Sequence, residues 1–221
     1  MLKTRDTPNE LKRFNSLFSS FGYKYDLSRL FDDFLTIVIC VFARQTEEEL
    51  YFETIKGYTK KELNVFAKLL AELLIIYDKA RKDEFWTDPL GTYYEVLASN
   101  TKKSGFGQFF TPQCICDLMS QFVLGANEWG KRINDPCSGS GRLILSANNQ
   151  TEGNYYIAQD LDAICCKMTA INMCFHDIRG EVHHMNSLSN KPPRVSYSIN
   201  YEFHKHKTPL ILLKRPVKQV F

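Results

Sequence analysis

The feature that most constrains the fold is a turn with two glycines between an extended segment and a helix. Lys131–Asn134 leads into Asp135-Pro136-Cys137-Ser138-Gly139-Ser140-Gly141, and the residues from Arg142 to Asn149 form a predicted helix. In parallel α/β sheets, nucleotide-like ligands bind at strand ends of this kind. Glycine lets the backbone there adopt a positive φ angle and approach a ligand closely. The turn therefore predicts an α/β fold with a binding site at residues 135–141.

A second predicted strand, Tyr155–Asp160, ends in an acid about twenty residues after the glycines. At this spacing a carboxylate reaches the ribose hydroxyls in a nucleotide-binding βαβ unit. The glycines do not follow the pattern Gly-x-Gly-x-x-Gly, which disfavours a cofactor with a pyrophosphate. The pattern instead favours a ligand that has a ribose but no phosphate.

Upstream of the turn, Gly107-Gln108-Phe109-Phe110-Thr111-Pro112 precedes a predicted helix that ends near Leu124. We predict that Thr111 is the N-cap of this helix and that Pro112 lies in its first turn. The free backbone N–H groups at such a helix start can bind a carboxylate. The alternative is that the two phenylalanines only pack in the core.

These stretches, together with Gln159-Asp160-Leu161-Asp162, resemble the N6-adenine DNA methyltransferases in their order and spacing. The resemblance extends over roughly residues 88–188 and is closest to the modification subunits of type I restriction systems. It implies methyl transfer to adenine N6 in duplex DNA, with S-adenosyl-L-methionine as the cofactor. In that family the first stretch and the glycine loop hold the methionine part of the cofactor, and the later acid binds its ribose.

The resemblance also implies a set of cofactor-binding residues. Asn186 stands where the family usually has an aspartate that contacts the adenine amino group of the cofactor; its amide oxygen can accept the same hydrogen bond, without a charge. The whole set is Gln108, Phe109, Phe110, Thr111, Pro112, Asp135, Cys137, Ser138, Gly139, Ser140, Gly141, Asp160, Leu161 and Asn186.

The sequence departs from the family at its catalytic tetrad, Asn/Asp/Ser-Pro-Pro-Tyr/Phe, which follows the fourth strand. In the family the polar side chain and a proline carbonyl accept the two N–H bonds of adenine N6, and the aromatic residue stacks on the flipped base. The nearest string here, Asn190-Lys191-Pro192-Pro193-Arg194, has an insertion and lacks the aromatic residue. The sequence therefore predicts no catalytic residue, and it predicts weak or absent methyl transfer by this chain alone.

The chain is predicted to have three parts. Residues 1–100 form a helical N-terminal module, with Asp26 or Ser28 as one N-cap and Thr59 with Glu62 as a capping box at another helix. Residues 101–190 form a partial Rossmann-like core that binds S-adenosylmethionine. Residues 191–221 form a basic tail that either adds a strand at Leu210–Leu213 or is disordered.

Composition adds little beyond this division. The net charge is +3, but the tail from residue 191 onward holds seven Lys and Arg residues and one acid, so it can contact DNA phosphates or remain solvated. The seven cysteines contain no Cys-x-x-Cys pair, which favours buried reduced thiols over a zinc site. The longest apolar run, Leu35–Ala43, is too short to cross a bilayer. We expect a cytoplasmic protein. Adjacent His183 and His184 face opposite sides of a strand and cannot easily share one metal ion, so we also expect no metal site.

Three explanations for the missing tetrad stay open at this stage. The chain is a truncated or frameshifted remnant of a restriction-modification enzyme, or a non-catalytic accessory subunit that binds the cofactor or DNA and works with a partner that carries the missing strands. In the third explanation, the tail completes the site in a form that the motif does not describe. A specificity or restriction subunit is the expected protein partner, by resemblance.

Overall fold

The computed structural model of the protein describes residues 7–100, 109–124, 128–189, 191–202 and 208–216. Within them, a 3-10 turn at Asn9–Leu11 precedes helices α1 Lys12–Ser19, α2 Leu27–Val41, α3 Glu48–Ile55, α4 Lys60–Lys82, α5 Pro89–Asn100, α6 Gln113–Val123, α7 Arg142–Gln150 and α8 Ala163–Phe175. The strands are β1 Arg132–Asp135, β2 Tyr155–Asp160, β3 Arg179–His184, β4 Val195–Ile199 and β5 Ile211–Lys214. The fold is α/β with a helical N-terminal region, as the sequence predicts.

The five strands form one sheet in the order β1-β2-β3-β4-β5. The first three strands are parallel, with α7 and α8 as the crossovers, whereas β4 and β5 are antiparallel to their neighbours. Parallel strands have their carboxyl ends on the same side of a sheet. Asp135, Asp160 and His184 therefore lie together at the carboxyl ends of their strands. Among the described strands, β1 pairs only with β2, so its other edge is free.

Two helices of the helical region, α2 and α4, have side-chain caps at their N-termini. The Asp26 side chain accepts a hydrogen bond from the backbone N–H of Arg29, so Asp26 rather than Ser28 caps α2. Thr59 and Glu62 form the predicted capping box of α4, with each side chain accepting from the backbone N–H of the other. These two caps satisfy N–H groups that the helix itself leaves free, which explains why the sequence identifies both helix starts correctly.

The helices and the sheet share one hydrophobic core, and α8 lies at its centre. Every residue of α8 from Met168 to Phe175 is buried. Helix α2 packs on α8, and the Lys167 ammonium lies 2.7 Å from the Asp32 carboxylate across that contact. The Tyr77 hydroxyl of α4 donates to the Asn172 side chain at 2.5 Å. The helical region therefore fixes the position of α8, while the predicted division at residue 100 stays a prediction.

Two local predictions are wrong by position, and one strand was missed. Helix α6 begins at Gln113, with Pro112 rather than Thr111 as its N-cap, because Pro112 has an extended ψ of 146° and only its carbonyl accepts the first helical hydrogen bonds. Strand β3 begins and ends two residues before the predicted Glu181–Asn186. Strand β4 was not predicted, and a strand near the predicted Leu210–Leu213 is present as β5.

The seven cysteines are free thiols, but they are not all buried. Cys114 and Cys137 are exposed, contrary to the prediction, because each lies at the start or outer face of an element. Burial raises the pKa of the Cys40 and Cys116 thiols to about 11, so both are protonated at neutral pH. Among the described residues, no His, Cys, Asp and Glu side chains form a group that could hold a metal ion. No helix in the described ranges has the length and apolar character needed to cross a membrane.

His176 makes the contact between α8 and the segment before α5 sensitive to acid. Its Nε2 accepts from the Thr87 backbone N–H at 3.1 Å, and its Nδ1 lies 2.8 Å from the Asn172 carbonyl, so the fold requires the neutral ring. Burial lowers the pKa of His176 from 6.5 to about 4. Between these values the unfolded chain binds a proton that the folded chain excludes, so stability falls as the pH drops from 6.5 toward 4.

We expect the free energy of unfolding to decrease by about 3 kcal/mol across that pH window through this one ring. Urea unfolding at pH 7.0 and pH 4.5 measures the difference, and the variant His176→Gln should show a smaller difference than the parent. An equal difference in parent and variant would contradict the role of His176. The variant His184→Gln is the matched control, since His184 is partly exposed at the other end of the sheet.

Candidate cofactor site

A cavity of about 640 Å³ opens beside the glycine turn, at the ends of β2 and β3. Ten of the fourteen predicted cofactor residues line it: Phe109, Phe110, Thr111, Cys137, Ser138, Gly139, Ser140, Asp160, Leu161 and Asn186. Pro112, Asp135 and Gly141 do not line this cavity, and Gln108 lies outside the described residues. Residues from four separate stretches of the sequence therefore meet at one place.

The glycine loop has a conformation that other residues rarely adopt. Gly139 and Gly141 have φ angles of 56° and 94°, and a Cβ atom on Gly139 would lie 2.9 Å from the Phe110 ring. The Gly139 carbonyl accepts from the Thr169 hydroxyl at 2.8 Å, and Gly141 is the N-cap of α7. Both the positive φ angles and the close approach of Phe110 require glycine at these positions.

Asp160 fixes the glycine loop from the neighbouring strand. One of its carboxylate oxygens accepts from the Gly139 backbone N–H at 2.8 Å, and the other accepts from the Asp162 N–H at 2.9 Å. Each carboxylate oxygen has a second lone pair, so Asp160 can also accept hydrogen bonds from a ligand in the cavity. This position at the end of β2 agrees with the predicted ribose-binding role.

Asp135 lies at the carboxyl end of β1 but lines an adjoining cavity of about 230 Å³. The adjoining cavity shares Pro136 and Leu143 with the larger one. Its Oδ1 accepts from the Cys137 N–H at 3.1 Å, while its buried Oδ2 has no hydrogen-bond partner among the described residues. Burial raises the pKa of Asp135, and the nearby charge of Asp160 raises it further. A buried carboxylate oxygen without a partner is costly unless a ligand supplies one.

The predicted aromatic pair divides into two roles. Phe109 is 85% exposed and lines the cavity, so it is available to a ligand. The Phe110 ring is partly buried and packs on Tyr94, with ring centroids 5.6 Å apart, so it also belongs to the core.

Asn186 is exposed at the rim, and its Oδ1 accepts from the Leu188 N–H at 3.0 Å. A ligand that uses the Asn186 oxygen would have to share it with this turn.

The sequence analysis missed Arg142, which connects the loop to the helical region. Its guanidinium lies 2.7 Å from the Asp88 carboxylate and 3.0 Å from the Glu95 carboxylate, and it is largely buried. Burial lowers the pKa of Arg142, but the two acids outweigh that effect and the pKa is raised. A cation in the first turn of a helix interacts unfavourably with the helix dipole. Arg142, directly after Gly141, therefore indicates from the sequence that a buried acidic partner compensates for this interaction.

Comparison with known proteins places this geometry in a family. A family model for N-6 DNA methylases matches residues 86–204, more than half of the chain. The chain belongs to the N-6 DNA methylase family. It is 32% identical over 128 residues to the type I restriction enzyme MpnII methylase subunit of Mycoplasma pneumoniae; the match covers 52% of this chain and 23% of that protein.

Among solved structures, the chain is similar to the methyltransferase subunit of a type I restriction-modification system from Streptococcus thermophilus. The TM-score is 0.45 at 21% sequence identity, and the match covers 84% of this chain and 46% of the other. The chain therefore spans less than half the length of either N-6 DNA methylase relative.

The position of the N-6 DNA methylase tetrad can be followed in the structure, because the chain has a fourth strand. Strand β4 ends at Ile199, and Asn200-Tyr201-Glu202 follows, with Phe203 beyond the described residues. The sequence analysis missed this string, whose Asn and Phe have the spacing of the tetrad although both prolines are absent. The signal was available in the spacing of Asn200 and Phe203 alone.

Asn200 nevertheless lies away from the cavity. Because β4 is antiparallel to β3, Ile199 pairs with Gly180 near the start of β3, whereas Val195 pairs with His184 at the cavity end. The four residues between these pairs correspond to about 13 Å along the strand. Asn200 is also fully buried, and its side-chain amide donates to the Cys174 and Ile178 carbonyls. This asparagine is therefore not available to a base bound at the cofactor cavity.

Proposed function

We propose that the chain binds S-adenosylmethionine in the 640 Å³ cavity and belongs to a system that methylates adenine N6 in DNA. The observation that carries the proposal is the convergence of ten predicted cofactor residues on that one cavity. Its volume lies within the range of about 300–1,000 Å³ that is usual for small-molecule sites. The name of the curated relative, the methylase subunit of a type I restriction enzyme, supports the substrate class.

The residues present fit the cofactor chemically. Asp160 at the end of β2 would accept hydrogen bonds from the ribose hydroxyls, and the exposed ring of Phe109 would cover an apolar part of the ligand. The bound ligand would extend past Pro136 and Leu143 into the adjoining cavity, where the unpaired Oδ2 of Asp135 would face its positive methionine end. The start of α6, which has no side-chain cap, would receive the ligand carboxylate. Bound S-adenosylmethionine would supply an activated methyl group on its sulfonium. The chain's own residues would only bind and orient it.

Methyl transfer by the chain alone is expected to be weak or absent. The geometry at the cavity includes no described side chain in the tetrad role, because Asn200 is buried at the other end of β3. Without acceptors for its two N–H bonds, adenine N6 stays a poor nucleophile. The protein is proposed to act in the cytoplasm with DNA and a specificity subunit as partners.

A second candidate function is an accessory subunit that binds the cofactor and completes its site with another chain. Among the strands that the structure describes, β1 pairs only with β2, and this favours an accessory subunit, since the first strand of a doubly wound sheet normally has a neighbour on both sides. The α6 side chains beside the other edge of β1 are apolar and exposed, with Phe122 at 80% and Val123 at 70%. A partner that adds a parallel strand to β1 would cover them.

Two measurements on the purified chain test the cofactor proposal and the expected lack of methyl transfer. Isothermal titration with S-adenosylmethionine is expected to give saturable heat with one site per chain, and an absence of heat would refute the cofactor proposal. Transfer of a labelled methyl group to an adenine-containing duplex is expected to be close to background. Binding without transfer is the expected result for both functions, whereas rapid transfer would contradict both.

A further inference from the structure

The segment from Asp88 to Glu95, which includes the start of α5, contacts the glycine loop. The sequence analysis does not predict these contacts. Asp88 has a buried carboxylate whose Oδ2 accepts from the Ser140 hydroxyl at 2.6 Å and from Arg142 Nε at 2.7 Å. Its Oδ1 accepts from the Gly91 N–H and from the Asn172 side chain, both at 2.8 Å. Three of these groups belong to helices α5, α7 and α8, and the fourth is the Ser140 hydroxyl of the glycine loop, so Asp88 ties the loop to three helices.

Gly91 shows how closely α5 approaches the loop. A Cβ atom at this position would lie 2.1 Å from the Asp88 carboxylate and 2.5 Å from the Ser140 hydroxyl. Any side chain there would displace either the carboxylate or the loop. A glycine three residues after the acid is therefore required by the contact itself rather than by the backbone conformation of the helix.

Glu95 holds the other wall of the cavity. It lies seven residues after Asp88, on the same face of α5. Its Oε1 accepts from the Phe110 backbone N–H at 2.9 Å, and its Oε2 accepts from Arg142 Nη2 at 3.0 Å. Phe110 in turn packs against Gly139. The two acids thus hold the glycine loop and the phenylalanine stretch together, with Arg142 between them.

We propose that Asp88, Gly91 and Glu95 form a clamp by which the helical region sets the shape of the cofactor cavity. The clamp residues are positioning residues: Asp88, Gly91 and Glu95 do not line the cavity and act through Ser140, Arg142 and Phe110. Only the expected effect of the clamp on S-adenosylmethionine affinity rests on the proposed function. Its effect on the loop is independent of any ligand.

The variant Glu95→Gln tests the clamp, since it keeps the size of the side chain and removes the charge that holds Arg142. We expect affinity for S-adenosylmethionine to fall at least about 10-fold, because small displacements of binding groups have large effects. The matched control is Glu72→Gln, which removes an ion pair with Arg13 in the helical region, away from the loop. Its affinity should equal that of the parent, and Glu95→Asp should not restore binding, because the shorter side chain cannot reach both partners.

Hydrogen exchange without ligand separates the clamp from the cofactor proposal. The Ser138, Gly139 and Gly141 amides donate hydrogen bonds within the loop or to β2 and Asp160, so they are protected in the parent. In Glu95→Gln these amides should exchange faster, while the amides of α2 and β3 keep their rates. Unchanged loop exchange in a folded Glu95→Gln protein would overturn the clamp. Faster loop exchange in Glu95→Gln, together with a parent that binds no S-adenosylmethionine, would keep the clamp and refute only the cofactor proposal.

Discussion

Replacing Asp135 with asparagine is expected to weaken S-adenosylmethionine binding at least about 100-fold while leaving the unliganded protein equally stable or more stable. The loss of about 2.7 kcal/mol corresponds to removing a charged hydrogen bond from a buried site. The gain in stability follows from burial, which raises the pKa of Asp135 and penalises its charged form in the folded chain. Isothermal titration and thermal unfolding of the same samples measure the two effects.

The sign of the stability effect follows from the direction of the pKa change. A carboxyl whose pKa is higher in the folded chain binds its proton more tightly there, so its ionisation destabilises the fold as the pH rises. Asparagine cannot ionise and avoids this cost at neutral pH. A site that is strained without its ligand and improved by a neutral residue is typical of a binding residue rather than a structural one.

Asp160→Ala is the informative comparison, because it should show the opposite signature in stability. This variant also abolishes binding in our expectation, but it leaves the Gly139 and Asp162 backbone N–H groups without their acceptor. The unliganded protein should therefore unfold at a lower temperature. If Asp135→Asn were destabilising to the same degree as Asp160→Ala, the orphaned Oδ2 of Asp135 would have a structural partner after all, and its role in the cofactor site would be refuted.

Local signals explain most of what could be predicted from the sequence. Strand β2 begins and ends at the predicted residues, and the capping box of α4 is present, because each depends on residues within one element. The ten predicted cofactor residues that line one cavity come mainly from the family resemblance, and the neighbouring ends of parallel strands explain why residues after β1 and β2 meet there. These features need no knowledge of distant contacts.

Features that depend on distant partners were not predictable. Strand β4 is an exception, because Val195-Ser196-Tyr197-Ser198-Ile199 alternates apolar and polar residues, a strand signal that the sequence analysis missed. The connection between Asp88 and Arg142 joins residues 54 apart in the chain. The cavity that Asp135 lines is set by α6 packing on α7, and the N-cap of α6 moved by one residue because Pro112 is extended.

Replacing Asn200 with alanine is expected to lower the free energy of unfolding by about 3 kcal/mol, through the loss of several buried hydrogen bonds. Its side-chain amide donates to the Cys174 and Ile178 carbonyls, and its Oδ1 accepts from the Leu210 N–H at 3.0 Å. The residue also has a positive φ of 52°, which asparagine tolerates better than alanine. Urea unfolding measures the effect, with Asn149→Ala, an exposed asparagine at the end of α7, as the control.

The same variant decides whether Asn200 is the first residue of a working tetrad. Because Asn200 lies at the far end of β3, Asn200→Ala should leave the Kd for S-adenosylmethionine within about twofold of the parent value, since coupling between distant sites is small. The Kd is measured at a temperature where the variant is folded. A catalytic asparagine would behave in the reverse way, since its loss would remove methyl transfer and leave stability unchanged. That outcome would require β4 to lie beside β1 instead of β3, with Asn200 at the cavity, and the free edge of β1 is the place where such a strand would pair.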